Sequence, residues 1–139
     1  MKKIFVVDWC MLFTFITTTA TGFGMHIAGH NAEHWIWEMW AVIHSLAGIS
    51  FVIVSIMHIQ THIGWYKGWI KNGLGNKSHV TIILSLLFII ALLSGIVLLS
   101  INGINTHVGL LHYMIGIVLT IIGMGHFVKR FSILRKSLK

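Results

Sequence analysis

Ten histidines stand among 139 residues that carry only three acidic side chains and one cysteine. Imidazole is a common ligand of transition metals and also takes up protons near neutral pH. Four of the ten fall into a pattern. His44 and His58 are 14 residues apart, and so are His112 and His126. Shifting the chain by 68 residues lays the first pair on the second and matches Gly48 to Gly116, Ile49 to Ile117 and Ile53 to Ile121. Fourteen residues of helix make about four turns, rise roughly 21 Å and drift by about 40°. A left-handed supercoil removes roughly 20° of that drift per heptad. Each stretch therefore sets two imidazoles on one helix face at two levels. Two such helices running the same way put His44 opposite His112 and His58 opposite His126. A facing pair at one depth can supply both axial ligands of a haem iron. Gly48 and Gly116 lie one turn beyond the first His on the same face, where a missing side chain lets a flat macrocycle approach the backbone.

The elements that must position these residues follow from composition. Hydrophobic residues make up 56% of the chain and charged residues 9%, with a mean hydropathy of +0.87. That excludes a soluble globular domain and a disordered chain. One cysteine excludes a disulfide framework, a Cys-rich metal site and covalent haem attachment, so any haem is non-covalent. Apolar stretches at about 4–25, 41–65, 80–101 and 108–128 each reach the roughly 20 residues that cross a bilayer. Backbone polar groups in hydrocarbon must pair internally, so these stretches are helices. The first reads as a retained span, because Asp8 and Trp9 interrupt its start. The expected fold is all-α, one four-helix transmembrane bundle over residues 1–139. Helices two and four hold two haems. Helices one and three close the bundle and offer Gly22, Gly24 and Gly95 to the haem edges. A faint repeat, Thr21-Gly22 against Ser94-Gly95, links helices one and three. Ser45, Ser55, Thr61 and backbone carbonyls are candidate partners for the second nitrogen of each ligating His.

Charge sets the topology. Lys2, Lys3, Lys67, Lys71, Lys77, Lys129, Arg130, Arg135, Lys136 and Lys139 all fall on one side of a four-span arrangement. By the positive-inside rule that side is cytoplasmic, with both termini inside a cytoplasmic membrane. The formal charge of +7 reads as topology and contact with anionic lipid, not as nucleic-acid binding. Trp35, Trp37 and Trp40 mark the outer interface, Trp65 and Trp69 the inner one.

Six histidines remain. His26, His30 and His34 are spaced four apart and form one stripe if the helix continues through them. They suit a polar interfacial surface, or else an outer metal ion, a third haem or a quinol-site base, with Glu33 and His107 near. His62 lies one turn past His58 and competes with it as the inner ligand, but the 14-residue match favours His58. His62 and His79 then become interfacial groups, and Lys129 and Arg130 suit haem carboxylates.

Two helices that each carry two His about 14 residues apart resemble the cytochrome b subunits of bc-type complexes and related four-helix di-haem cytochromes. The chain is also similar to the flavinylation-associated cytochrome family of small membrane cytochromes. The residues carrying that likeness are His44-Ser45-Leu46-Ala47-Gly48, the run through His58 and His62 to Trp65 and Trp69, Asp8, and Thr21-Gly22. The resemblance implies two b-type haems and electron transfer across the cytoplasmic membrane. It also implies a separate extracytoplasmic partner bearing flavin or haem. A quinone or quinol at one face is the expected small-molecule partner.

The rival classes are a His-lined transporter of metal ions or haem, and a membrane sensor. Ion and proton paths in membranes usually add carboxylates, and the spans offer only Asp8. A sensor needs an output segment or partner. Neither accounts for the paired 14-residue spacing as well as haem ligation does.

Overall fold

The structure is a computed structural model that describes residues 3–31, 33–73, 79–101 and 106–137. Lys2, Lys77 and Lys139 lie outside the described residues. Those described form five helices and no strand: α1 (Lys3–Asn31), α2 (His34–Thr61), α3 (Ile63–Asn72), α4 (His79–Leu98) and α5 (His107–Lys136). α1, α2, α4 and α5 are long and apolar enough to cross a membrane. They mark the chain as a multi-pass membrane protein.

The expected count of four helices needs correction. The stretch predicted over 41–65 begins earlier, at His34, and stops at Thr61, and a separate short helix follows. The break falls on His62, at φ −108° and ψ 14°. Its N–H is shared between the carbonyls of His58 and Ile59 at 3.2 and 3.0 Å. The Thr61 hydroxyl donates to the His58 carbonyl at 2.7 Å, the local bonding by which Thr competes with a helical ladder. α3 has ten residues, too few to span a bilayer. Trp65 and Trp69 stack along it with ring centres 6.3 Å apart. Gly73 ends it at φ 75° and donates its N–H to the Trp69 carbonyl at 2.8 Å, the left-handed cap that glycine adopts without steric cost. The Tyr66 and Ser85 hydroxyls, 2.9 Å apart, tie α3 to α4.

The other boundaries also move outward or inward by capping. α1 runs to Asn31 rather than ending near residue 25. Glu33, in extended backbone, starts α2. Thr106 starts α5, its hydroxyl accepting the Gly109 N–H at 2.9 Å, an ordinary Thr N-cap.

The packing is two hairpin-like pairs, α1 on α2 and α4 on α5, joined where α1 meets α5. α2 and α5, which carry the four spaced histidines, are not among the closely packed pairs. Along the α1–α5 seam the Thr19 and Thr120 hydroxyls approach to 3.3 Å. A Cβ on Gly123 would stand 3.1 Å from the Phe15 ring, so the small residue permits the contact. Little is buried among the described residues: Val7, Ala28, Phe51 and Leu134, with the polar Thr21, Ser55 and Ser94. Large apolar side chains instead face outward, Phe13 at 72% exposure and Ile121 at 67%. In water such a surface would be an aggregation site. Against lipid tails it costs nothing, and helix association rests on packing and polar contacts between helices.

Candidate functional site

The two helix pairs leave a cavity of about 710 Å³ between α2 and α5. His44 and His112 both line it, with Gly48 and Gly116 beside them. Their ring centres are 6.2 Å apart and their planes cross at 76°. Two imidazoles on opposite sides of one metal, each bonded at about 2 Å, have ring centres about 6 Å apart. The observed spacing meets that requirement.

What holds the rings comes from α1 and α4. The Nδ1 of His44 lies 3.2 Å from the Thr21 hydroxyl. The Nδ1 of His112 lies 2.8 Å from the Ser94 hydroxyl. Each hydroxyl already spends its proton on the main chain one turn back. Thr21 donates to the Thr17 carbonyl at 2.9 Å, and Ser94 to the Ile90 carbonyl at 2.8 Å. The oxygen is therefore the acceptor and Nδ1–H the donor. The other nitrogen, Nε2, keeps its lone pair and can ligate. Thr21 and Ser94 are two of the three buried polar residues among those described, so the pairing also satisfies groups that burial would otherwise penalise.

The glycines sort into two kinds. A Cβ on Gly22 would meet the His44 ring at 3.1 Å, and one on Gly95 the His112 ring at 3.3 Å. These two glycines let the imidazoles pack against α1 and α4. Gly48 and Gly116 have nothing within 4 Å of a built Cβ, so they border open space. Gly24, expected at a haem edge, instead lies against Trp40, whose ring would stand 2.7 Å from an added Cβ, and serves the α1–α2 contact. Ser45, Ser55 and Thr61 also turn out otherwise than expected. Their hydroxyls go to the Ala41 carbonyl, the Met11 sulfur and the His58 carbonyl, not to imidazole nitrogens. The faint Thr21-Gly22 and Ser94-Gly95 repeat was the available signal for the true partners.

One wall of the cavity carries an aromatic row. Phe15 and Phe51 have ring centres 6.1 Å apart, and Phe51 and Phe88 5.9 Å. All three line the cavity, and neither His58 nor His126 does.

No family model, curated protein or solved structure matches this chain. The residues themselves therefore carry the functional argument.

The inner level is built differently. Nδ1 of His58 lies 2.9 Å from Oδ1 of Asp8, near the start of α1. The His62 ring is 4.7 Å from that of His58. Asp8, His58 and His62 bring one ligating atom each within 4.8 Å of one another, an arrangement that could hold a metal ion. Burial, with the nearby His58, pushes the His62 pKa below its ordinary value, and Asp8 opposes the shift. His126, on α5, is not one of the residues of that cluster. Asp8 as a contact of His58 was not foreseen; its place as the one carboxylate within the stretches expected to span the membrane was the clue.

The outer stripe is only partly assembled. His26 and His30 lie on α1 with ring centres 4.8 Å apart, and His26 stacks on Tyr113 at 4.0 Å. Both line the cavity, as does His107. His34 does not continue the stripe, because α1 ends at Asn31 and His34 opens α2. It stacks on Trp37 and lies 3.1 Å from Glu38, both partners being exposed. A three-His metal site on one helix face is thus not formed among the described residues. His79 opens α4, on the side of the bundle where α3 lies.

Proposed function

We propose that the protein is a di-haem b-type membrane cytochrome that passes electrons across the cytoplasmic membrane. His44 and His112 hold the outer haem, and His58 and His126 the inner one. The single observation that carries this reading is the outer pair. Two Nε2 lone pairs belong to rings 6.2 Å apart, and they border a cavity edged by glycines with open space at Cβ. A bound haem supplies a one-electron iron couple. The chain supplies ligands of fixed tautomer, an apolar wall that keeps water from the centre, and two levels separated by roughly 21 Å along the helices. Electrons pass between a quinol pool or a cytoplasmic donor and an extracytoplasmic flavin- or haem-bearing partner. The basic residues, gathered on one side, put both termini in the cytoplasm. The likeness to the flavinylation-associated cytochrome family supports the same conclusion.

A second reading is favoured by one observation. The Asp8, His58 and His62 cluster suits a divalent metal ion, which a His-lined transporter or sensor would use. One experiment separates the two. Purified protein is examined by reduced-minus-oxidised optical spectrum and a pyridine haemochrome count, alongside metal analysis. Two b-type haems per chain, falling to one in His112→Ala, is the expected result. A protein without haem after expression with ample haem, but carrying a divalent metal, overturns it.

A further inference from the structure

The cavity that holds His44 and His112 is unlike on its two sides. Phe51 follows His44 by seven residues, and Phe15 and Phe88 precede Gly22 and Gly95 by seven, so this row lies roughly 10 Å inward of the ligands. The hydroxyls near the row spend their protons inside the protein. Thr18 donates to the Ala47 carbonyl at 3.0 Å and Thr120 to the Gly116 carbonyl at 2.8 Å, which leaves Thr19 to donate to Thr120. Outward of the ligands the wall carries His26, His30 and His107. Gly22 packs on the His44 ring, and His26 follows it by one turn, roughly 6 Å of rise. His107 precedes His112 by five residues, roughly 7.5 Å. The His26 ring lies flat on Tyr113, with centres 4.0 Å apart and planes at 13°, and the His30 ring stands 4.8 Å from it. Unlike His44 and His112, these three imidazoles make no hydrogen bond among the described residues. The acids nearest in sequence are engaged elsewhere, Glu38 beside His34 at 3.1 Å and Glu33 accepting from Trp35 at 2.7 Å. Every Lys and Arg falls on the opposite side of the four-span arrangement. Besides His44 and His112, the three imidazoles are the titratable nitrogen donors of the cavity wall.

A b-type haem carries two carboxylates on one edge of an apolar macrocycle. A carboxylate aimed at the phenylalanine row would be buried without a donor, which is costly. One aimed outward meets imidazole N–H groups and gains a charge-assisted hydrogen bond. We propose that His26, with His30 and His107 beside it, anchors the carboxylates of the outer haem. The haem then enters the cavity one way round, its carboxylate edge toward the outer mouth. The proposal rests on the outer half of the di-haem reading and deepens it. These side chains touch no iron, and their work is orientation and retention. The stack on Tyr113, the neighbour of His112 in sequence, fixes the His26 ring at the level where the anchor is needed.

The test titrates apoprotein with haem and with haem dimethyl ester, in which both carboxylates are masked, and follows the haem absorbance. The binding component lost in His112→Ala is assigned to the outer level. There the unaltered protein is expected to bind haem about tenfold more tightly than the ester, the worth of one hydrogen bond to a charged group. His26→Phe keeps a flat ring against Tyr113 but removes the donor, and should bring the two affinities to within about twofold. His26→Gln keeps an N–H donor and retains most of the preference. If His26→Phe does not yield folded protein, His30→Phe combined with His107→Phe, both at exposed positions, takes its place with the same expected convergence. Equal affinities for haem and ester in the unaltered protein overturn the proposal and leave ligation by His44 and His112 intact. A preference kept in full by the Phe variant does the same. Failure of the unaltered protein to bind haem overturns the di-haem reading itself, and the anchor with it.

Discussion

An imidazole ligates better when a second contact fixes its tautomer, and here the residues that fix His44 and His112 are on α1 and α4. The Thr21 and Ser94 hydroxyls each donate backwards to a main-chain carbonyl and so accept from an imidazole N–H. Thr21→Val keeps the side-chain shape and removes the acceptor. The His44 ring is then free to turn, and its Nδ1–H is buried without a partner. Haem affinity at the outer level is expected to fall by about 10–100-fold, measured by titrating haem into apoprotein. The cost to the fold is about 1–3 kcal/mol, read from thermal unfolding. Ser45→Ala is the control. Its hydroxyl bonds only the Ala41 carbonyl, so haem affinity stays at the level of the unaltered protein. The outer pairing of His44 with His112 was legible in the sequence because a 14-residue spacing on a helix is a geometric statement. Their partners were not, because Thr21 lies 23 residues from His44 and Ser94 lies 18 from His112. No local pattern encodes a bond between helices. Only the Thr-Gly and Ser-Gly match, 73 residues apart, hinted that α1 and α4 do the same work.

Helix ends decide what the remaining histidines can do. His26, His30 and His34 share a period that promises one stripe, but the chain restarts at Glu33 and gives His34 to the next helix. Periodicity cannot report a break made by a residue with ordinary side-chain chemistry and no proline beside it. The same holds at His62, where the Thr61 hydroxyl and a shared N–H close α2. Apolar length, by contrast, was enough to locate all four long helices, because a bilayer fixes the number of residues that must cross it. Glycine positions then separate packing from cavity. Gly24 lies against the Trp40 ring, where an added Cβ would stand 2.7 Å from ring atoms. Gly24→Ala forces the α1–α2 pair apart and is expected to cost about 1–3 kcal/mol, read as a lower midpoint of unfolding in detergent. Gly48→Leu enters open space and leaves that midpoint unchanged. It fills the cavity beside His44, so the haem content of the purified protein drops toward one per chain. A pair of variants with the opposite outcome would mean that Gly48, not Gly24, is the packing residue.

At the scale of the whole molecule, two helix pairs surround what neither encloses alone. α2 and α5 carry the four spaced histidines, yet they pack on α1 and α4 rather than on each other. In the proposed topology four crossings return the chain to the side where it began, and every basic residue then falls on one face. A reporter fused after residue 139 that fluoresces only in the cytoplasm should therefore be bright, and one active only outside should be silent. The two levels make the stronger test, because each is useless for transfer without the other. His44 and His58 sit about 21 Å apart along α2 by helix rise, with the Phe15, Phe51 and Phe88 row between the levels. In vesicles loaded with ferricyanide and exposed to external dithionite, the protein should carry electrons inward and bleach the trapped acceptor. His112→Ala empties the outer level and His58→Ala the inner one, so either change alone should bring the rate down to that of protein-free vesicles. A metal transporter would show no such electron flux in any form of the protein. A variant that still carries electrons with only one level loaded would show that the second level is not part of the path.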